Sequence, residues 1–183
     1  AGWECVVVTG DKDSLQLIDE HTKVKLVSTR MGQTTTKDMT EEAFLEEYGF
    51  APIHMIDLKA LMGDSSDNIP GVAGIGEKTA FALIQKYGSV ARLYQDVDAL
   101  EVSPGVKKKL AAGKDQADLS RELGIICREA PIPTGLGEYR RGPVDHGKLY
   151  AILSRLELHT LITRLGVDPN AAPLTQESAA PTR

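Results

Sequence analysis

A chain of 183 residues, 42% hydrophobic and 26% charged, has the composition of one modest globular domain, and its net charge of −5 argues against a general nucleic-acid coat protein. An acidic total leaves a DNA-acting enzyme open, because an acidic metal pocket beside a local basic surface sums to a negative charge. No apolar run reaches bilayer length, and no basic-then-apolar leader opens the chain. Cys5 and Cys127 fit no CxxC pattern and read as reduced cytoplasmic thiols, and the four histidines have no zinc spacing.

Cys5-Val6-Val7-Val8 reads as a buried strand. Domains seldom open on a central strand, so the natural protein is expected to have a lead-in before it. Thr9-Gly10-Asp11-Lys12-Asp13 is a turn, and 14–18 is a short helix. Residues 23–28 alternate as a strand, with Val24 and Leu26 inward. Met31-Gly32-Gln33 turns the chain toward a candidate partner strand at 34–36. Thr40 caps a helix with Glu41 and Glu42 in its first turn, and Gly49 ends it. Pro52 opens a helix to Met62, stopped by Gly63.

Helices then dominate. Residues 77–87 carry the stripe Ala80, Leu83, Ile84 and Tyr87, and Gly88 ends it. Ser89 caps a short helix, and 104–112 and 115–126 are two more. Residues 128–143 are rich in Pro and Gly and read as loop. Asp145 caps a last helix with Leu149, Ile152, Leu153 and Leu156 on one face. Residues 168–183 read as a linker to a further domain.

The most informative stretch is Gly63-Asp64-Ser65-Ser66-Asp67-Asn68-Ile69-Pro70-Gly71-Val72-Ala73-Gly74-Ile75-Gly76-Glu77-Lys78-Thr79-Ala80. Its second part is a glycine hairpin between helices. Glycines let backbone N–H groups approach a phosphate, the next helix adds its positive dipole end, and Lys78 adds a charge. A tight turn that only packs two helices reads equally well. In its first part, Asp64 and Asp67 repel each other unless something positive joins them. Oxygen ligands without His or Cys suit magnesium or manganese, and an Asp turn with a cap is the other reading. Asp11 and Asp13 form a second pair after the strand. In extended backbone, residues i and i+2 point the same way, so both carboxylates could face one ion, or Asp13 merely caps a helix. Lys107, Lys108 and Lys109 are either phosphate contacts or a solvated face.

Together, Val6 to Asp13, Leu61 to Gly71 and Gly74 to Ala80 resemble the 5′-to-3′ exonuclease domain of bacterial DNA polymerase I, within the wider flap endonuclease group. The resemblance covers about residues 1–167. It implies an α/β, PIN-like 5′-nuclease fold: the edge of a mostly parallel sheet over 1–51, a helical helix–two-turn–helix (helix-hairpin-helix-like) DNA-binding region over 52–167, and a linker over 168–183. It implies Asp11, Asp13, Asp64 and Asp67 as metal ligands, with two magnesium or manganese ions in the complete site roughly 3.5–4 Å apart. It further implies DNA contacts at Gly71, Gly74, Ile75, Gly76, Lys78 and Thr79, with a monovalent cation such as potassium on the hairpin carbonyls. The implied partner is duplex DNA with a 5′ end or flap, in replication and repair in the bacterial cytoplasm and nucleoid, with a polymerase domain tethered beyond the linker. The family's site also draws carboxylates, and a helical arch that holds the 5′ end, from a preceding N-terminal half. The chain is therefore expected to bind duplex DNA and to be catalytically incomplete.

Two rivals stand beside this. A non-catalytic helix-hairpin-helix module would use the hairpin alone and leave the four aspartates without a reason. A haloacid dehalogenase-type phosphatase would use Asp11-Lys12-Asp13, but Thr9-Gly10 separate that motif from the strand.

Overall fold

The β-branched residues of Cys5–Thr9 favour extended backbone and form strand β1. In the computed structural model, which describes residues 2–133 and 135–170, β1 lies parallel to β2 (Thr22–Arg30). Strand β2 in turn lies antiparallel to β3 (Gln33–Met39), in the order β1-β2-β3. The parallel connection passes through a 3-10 helix, Lys12–Leu17. The hairpin closes at Met31 and Gly32, with φ 49 and 79, the positive-φ pair that a two-residue turn requires. Val24 is fully buried, as the alternation of β2 predicts. The valines of β1 are a correction: Val6 and Val8 are 46% and 63% exposed. β-branching sets the strand conformation, whereas burial depends on what covers it, and β1 is an edge of the described sheet.

Helix α1 (Glu41–Tyr48) starts where Thr40 Oγ1 accepts the Ala43 N–H, and it ends at Gly49 with φ 74. A 3-10 turn, Pro52–His54, leads into α2 (Met55–Met62). Four helices follow: α3 (Glu77–Tyr87), α4 (Val90–Leu93), α5 (Pro104–Ala112) and α6 (Lys114–Gly124). Ser89 and Ser103 cap α4 and α5 through their hydroxyls.

Helix α2 is the axis of this unit, packed by α3, α4 and α6. Met55, Ile56, Leu58, Ala60 and Leu61 are all buried, so the helix is covered on every side. Its two charged residues, Asp57 and Lys59, are buried with it, and each must be paired to stay ionised. Asp57 is held by His54 Nδ1 at 2.8 Å, by Arg121 Nε at 3.0 Å and by the Val90 N–H at 3.3 Å, which ties α2 to α4 and α6. The core crosses the boundary expected at residue 51. Phe44 stacks on Tyr48 at 4.3 Å, and Phe50 and Phe81 close the same aromatic cluster. The compact unit accordingly runs to Arg128.

A second unit begins at Glu129. It holds a 3-10 helix, Leu136–Tyr139, then α7 (His146–Arg155) and α8 (His159–Leu165). Asp145 caps α7 by accepting the Lys148 N–H at 2.9 Å. The sequence predicts one helix here, and the structure has two, because the chain breaks at Glu157 with φ 57. Of the expected apolar face, Leu153 is buried while Ile152 and Leu156 are exposed. Most of the expected linker, residues 171–183, lies outside the described residues.

Candidate metal centre and DNA-contact hairpin

The segment from α2 to α3 makes two turns. Gly63, at φ 75, ends α2. Asp64 and Ile69 then exchange backbone hydrogen bonds of 2.9 and 2.8 Å, closing a loop that holds Ser65, Ser66, Asp67 and Asn68. The Val72 N–H returns to Leu61 O at 2.8 Å, the Ile75 N–H closes the second turn on Val72 O at 3.0 Å, and Gly76 caps α3. Gly71 makes this path possible. It sits at φ 62, and a Cβ there would stand 2.2 Å from the Gly63 nitrogen, so two glycines pass backbone to backbone.

The first turn faces Asp13. Carboxylate oxygens of Asp13, Asp64 and Asp67 all lie within 4.8 Å of one another. The Lys59 ammonium reaches into the group, in contact with Asp13 Oδ1 and 2.7 Å from Asp64 Oδ2. Asp64 Oδ1 also accepts from the Ser66 N–H at 2.9 Å and the Ser66 hydroxyl at 2.5 Å. These hydrogen bonds, Lys59 first and Ser66 second, hold the Asp64 carboxyl down to about 2. It is therefore ionised across the neutral range. Asp13 Oδ1 is buried and faces the Lys59 ammonium. Three converging carboxylates, with no His or Cys among them, make an oxygen-only set that fits a hard divalent cation.

Asp11 lies differently from the expectation. Its carboxylate accepts the Asp13 N–H at 2.9 Å as the cap of the 3-10 helix, outside the group of three. The expectation assumed extended backbone, but the chain turns helical at Lys12, so residues i and i+2 no longer point the same way. Asp11 still lines the same cleft of about 430 Å³, together with Asp13, Lys59, Asp64, Asp67 and Glu77. Glu77 opens α3, so the acidic cleft and the end of the hairpin are contiguous.

Lys59 is the residue that sequence reasoning missed. Its signal was present: a lone cation inside the apolar helix of Met55 to Met62, which must find an anionic partner once that helix is buried.

In the hairpin, Gly74, Gly76 and Lys78 are exposed and Thr79 is half-buried. Gly71 and Ile75 are buried in the structure. Gly71 is buried and donates its N–H to Ser120 Oγ at 2.9 Å, and Ile75 is in the core. Both shape the hairpin from within. Lys107 and Lys109 are also committed, donating to the carbonyls of Asp98 and Gly74, while Lys108 is exposed.

Residues 50–147 match the family model described as 5′-3′ exonuclease, C-terminal SAM fold. The chain belongs to this 5′-3′ exonuclease family. Among curated proteins it is similar to DNA polymerase I of Caldicellulosiruptor bescii, 43% identical over 166 residues, or 91% of this chain and 19% of that protein. DNA polymerase I of Bacillus subtilis is 43% identical over 176 residues, 96% of this chain and 20% of that protein. The thermostable DNA polymerase I of Thermus thermophilus is 38% identical over 173 residues, 93% of this chain and 20% of that protein. The chain thus spans about a fifth of the length of these relatives. Among solved structures it shares the fold of T5 5′-exonuclease with bound zinc. The TM-score is 0.54 at 24% identity, over 66% of this chain and 42% of that one. A T5 flap endonuclease in complex with DNA and metal ions gives 0.52 at 24% identity, again over 66% and 42%. The α/β sheet with its helices is that of a flap-nuclease fold.

Proposed function

We propose that this chain is the part of a DNA polymerase I-type 5′-to-3′ exonuclease that grips duplex DNA and supplies carboxylates to a divalent-metal site. The observation that carries this reading is the convergence of Asp13, Asp64 and Asp67 in a cleft that Glu77 shares with the end of the hairpin. Three converging carboxylates, two of them paired to one buried ammonium, have little purpose in a module that only binds DNA.

Asp13, Asp64 and Asp67 are the proposed ligands, with Asp11 completing the acidic lining. Magnesium or manganese, two ions in the complete site, supplies an activated water and stabilises the leaving oxygen in phosphodiester hydrolysis. The chain's own residues bind and orient. Gly74 and Gly76 leave backbone approachable by a phosphate, the first turn of α3 offers unpaired N–H groups and its positive dipole end, and Lys78 and Thr79 stand in that turn. Contacts of this kind hold DNA without reading its sequence. A potassium ion on hairpin carbonyls belongs to the same proposal. So do a substrate with a 5′ end or flap, a role in replication and repair in the bacterial cytoplasm and nucleoid, and a tether over 168–183 to a polymerase domain. No helix among the described residues is long and apolar enough to cross a membrane. Three clustered carboxylates are few for two ions of strict octahedral preference, so the chain alone is expected to cut a 5′-flap duplex slowly.

Gly76→Val tests the hairpin cleanly. A Cβ at Gly76 meets nothing within 4 Å, so the variant adds bulk toward solvent at a capping cost of about 1 kcal/mol. Duplex affinity by fluorescence anisotropy at fixed salt should fall roughly tenfold, equivalent to about 1.4 kcal/mol, with no change in base preference. Unchanged affinity removes the hairpin from the interface.

A further inference from the structure

We propose that Lys109 is a positioning residue for the DNA-contact hairpin, acting on the Gly74 carbonyl and not on a phosphate. The proposal rests on the reading that the hairpin binds duplex DNA. Helices α5 and α6 reach the hairpin at three places. Ser120, wholly buried on α6, accepts the Gly71 N–H at 2.9 Å. Gly113, between the two helices, lies so close to Val72 that a Cβ there would stand 2.6 Å from Val72 Cγ1. Lys109, in the last turn of α5, donates from Nζ to the Gly74 carbonyl at 2.9 Å.

The first two contacts are buried packing. The third is different in kind. A lysine at the surface is free to extend into water, where its ammonium is best solvated. Lys109 instead lies along the hairpin, its Cε 2.9 Å from where a Gly74 Cβ would stand. The peptide unit it grips joins Gly74 to Ile75, immediately before the exposed cap Gly76. Ile75 is anchored in the core beneath. Fixing the carbonyl of that peptide fixes its plane, and with it the direction in which the following N–H groups point. A glycine at φ 77 has wide conformational freedom. Without the lysine the Gly74 peptide is still held from its other side, by the Ile75 N–H bond to Val72 O at 3.0 Å, and DNA must restrict the added motion at the moment of binding.

Two properties separate positioning from phosphate contact. A lysine that neutralises a phosphate adds about 0.9 to the slope of log K against log salt, and a positioning lysine adds nothing. A positioning lysine also slows exchange of the hairpin amides before DNA is present. The experiment uses the full chain, with Lys109→Met, which keeps the stem and removes the ammonium. Lys108→Met serves as the charge-matched neighbour and Gly76→Val as the probe of the hairpin. The expected result is about fivefold weaker duplex binding for Lys109→Met with an unchanged salt slope, and faster exchange at the Ile75 and Gly76 amides in the DNA-free protein. Lys108→Met should leave that exchange unaltered. A slope reduced by about 0.9 in Lys109→Met makes the residue a phosphate contact and overturns the proposal. Unaltered exchange at Ile75 and Gly76 overturns it as well. If Gly76→Val leaves affinity unchanged, it is the DNA-binding reading of the hairpin that fails, and the exchange data alone then decide whether Lys109 fixes the Gly74 peptide.

Discussion

Gly71→Ala is expected to destabilise the first unit by at least about 3 kcal/mol, a large share of the 5–15 kcal/mol typical of a domain. The positive φ of 62 at Gly71 disfavours any side chain, at about 1–2 kcal/mol. The greater part comes from contact. The new Cβ would stand 2.2 Å from the Gly63 nitrogen and 2.6 Å from the Met62 carbonyl carbon, both backbone atoms of a buried helix end. Neither can turn aside as a side chain can. The two strands of backbone must part, and with them go the Gly71 N–H bond to Ser120 and the return of Val72 to Leu61. Urea denaturation of the variant measures the loss. Gly76→Ala, in open space, should stay within about 1 kcal/mol of the parent. A Gly71→Ala cost below about 1 kcal/mol would mean that the two turns run differently from the path described here.

Lys59→Met should be the second severe substitution. The side chain is 8% exposed, and those of its partners Asp13 and Asp64 are 18% and 19% exposed, so solvent screens this group only partly. Removing one partner of a buried pair costs about 3–5 kcal/mol, and the residual exposure places this case near about 2–3 kcal/mol. The variant leaves Asp13, Asp64 and Asp67 within 4.8 Å of one another with no cation among them. A divalent ion added to the variant should restore part of the loss, because anything that binds the folded state alone stabilises it. Unfolding midpoints in chelator and in manganese measure both effects. The expectation is a larger manganese-dependent rise for Lys59→Met than for the parent. Equal rises, with little loss in chelator, would show that Lys59 does not hold the carboxylates together.

The local rules were legible in the sequence where they act locally. Thr40, Ser89 and Asp145 cap the helices that their position predicts, and Gly49 and Gly63 end theirs. The Met31-Gly32 turn sets the hairpin of β2 and β3. Of the four aspartates, Asp13, Asp64 and Asp67 bring carboxylate oxygens within 4.8 Å of one another. What was not legible depends on packing between distant segments. The exposure of Val6 and Val8 follows from what covers β1. The roles of Gly71 and Ile75 follow from α6 and the core lying behind the hairpin. Asp11 lines the same cleft without joining the group of three, because the extended backbone that would align it with Asp13 gives way to a 3-10 helix one residue later. Lys59 was overlooked because a helix of 3.6-residue period does not announce that all its faces are buried until its neighbours are known.

The central claim is that Asp13, Asp64 and Asp67 form a divalent-metal site. Calorimetric titration of manganese into the parent chain and into Asp64→Asn tests it most directly. Asparagine keeps the shape of the side chain and removes the charge that Lys59 and Ser66 hold ionised in the parent. Matched far-UV spectra establish that both proteins are folded. A metal site at these residues gives saturable manganese binding by the parent and at least about tenfold weaker binding by Asp64→Asn, which is about 1.4 kcal/mol. Superimposable isotherms for the two proteins, or no heat from either, would contradict it and leave a module that only binds DNA.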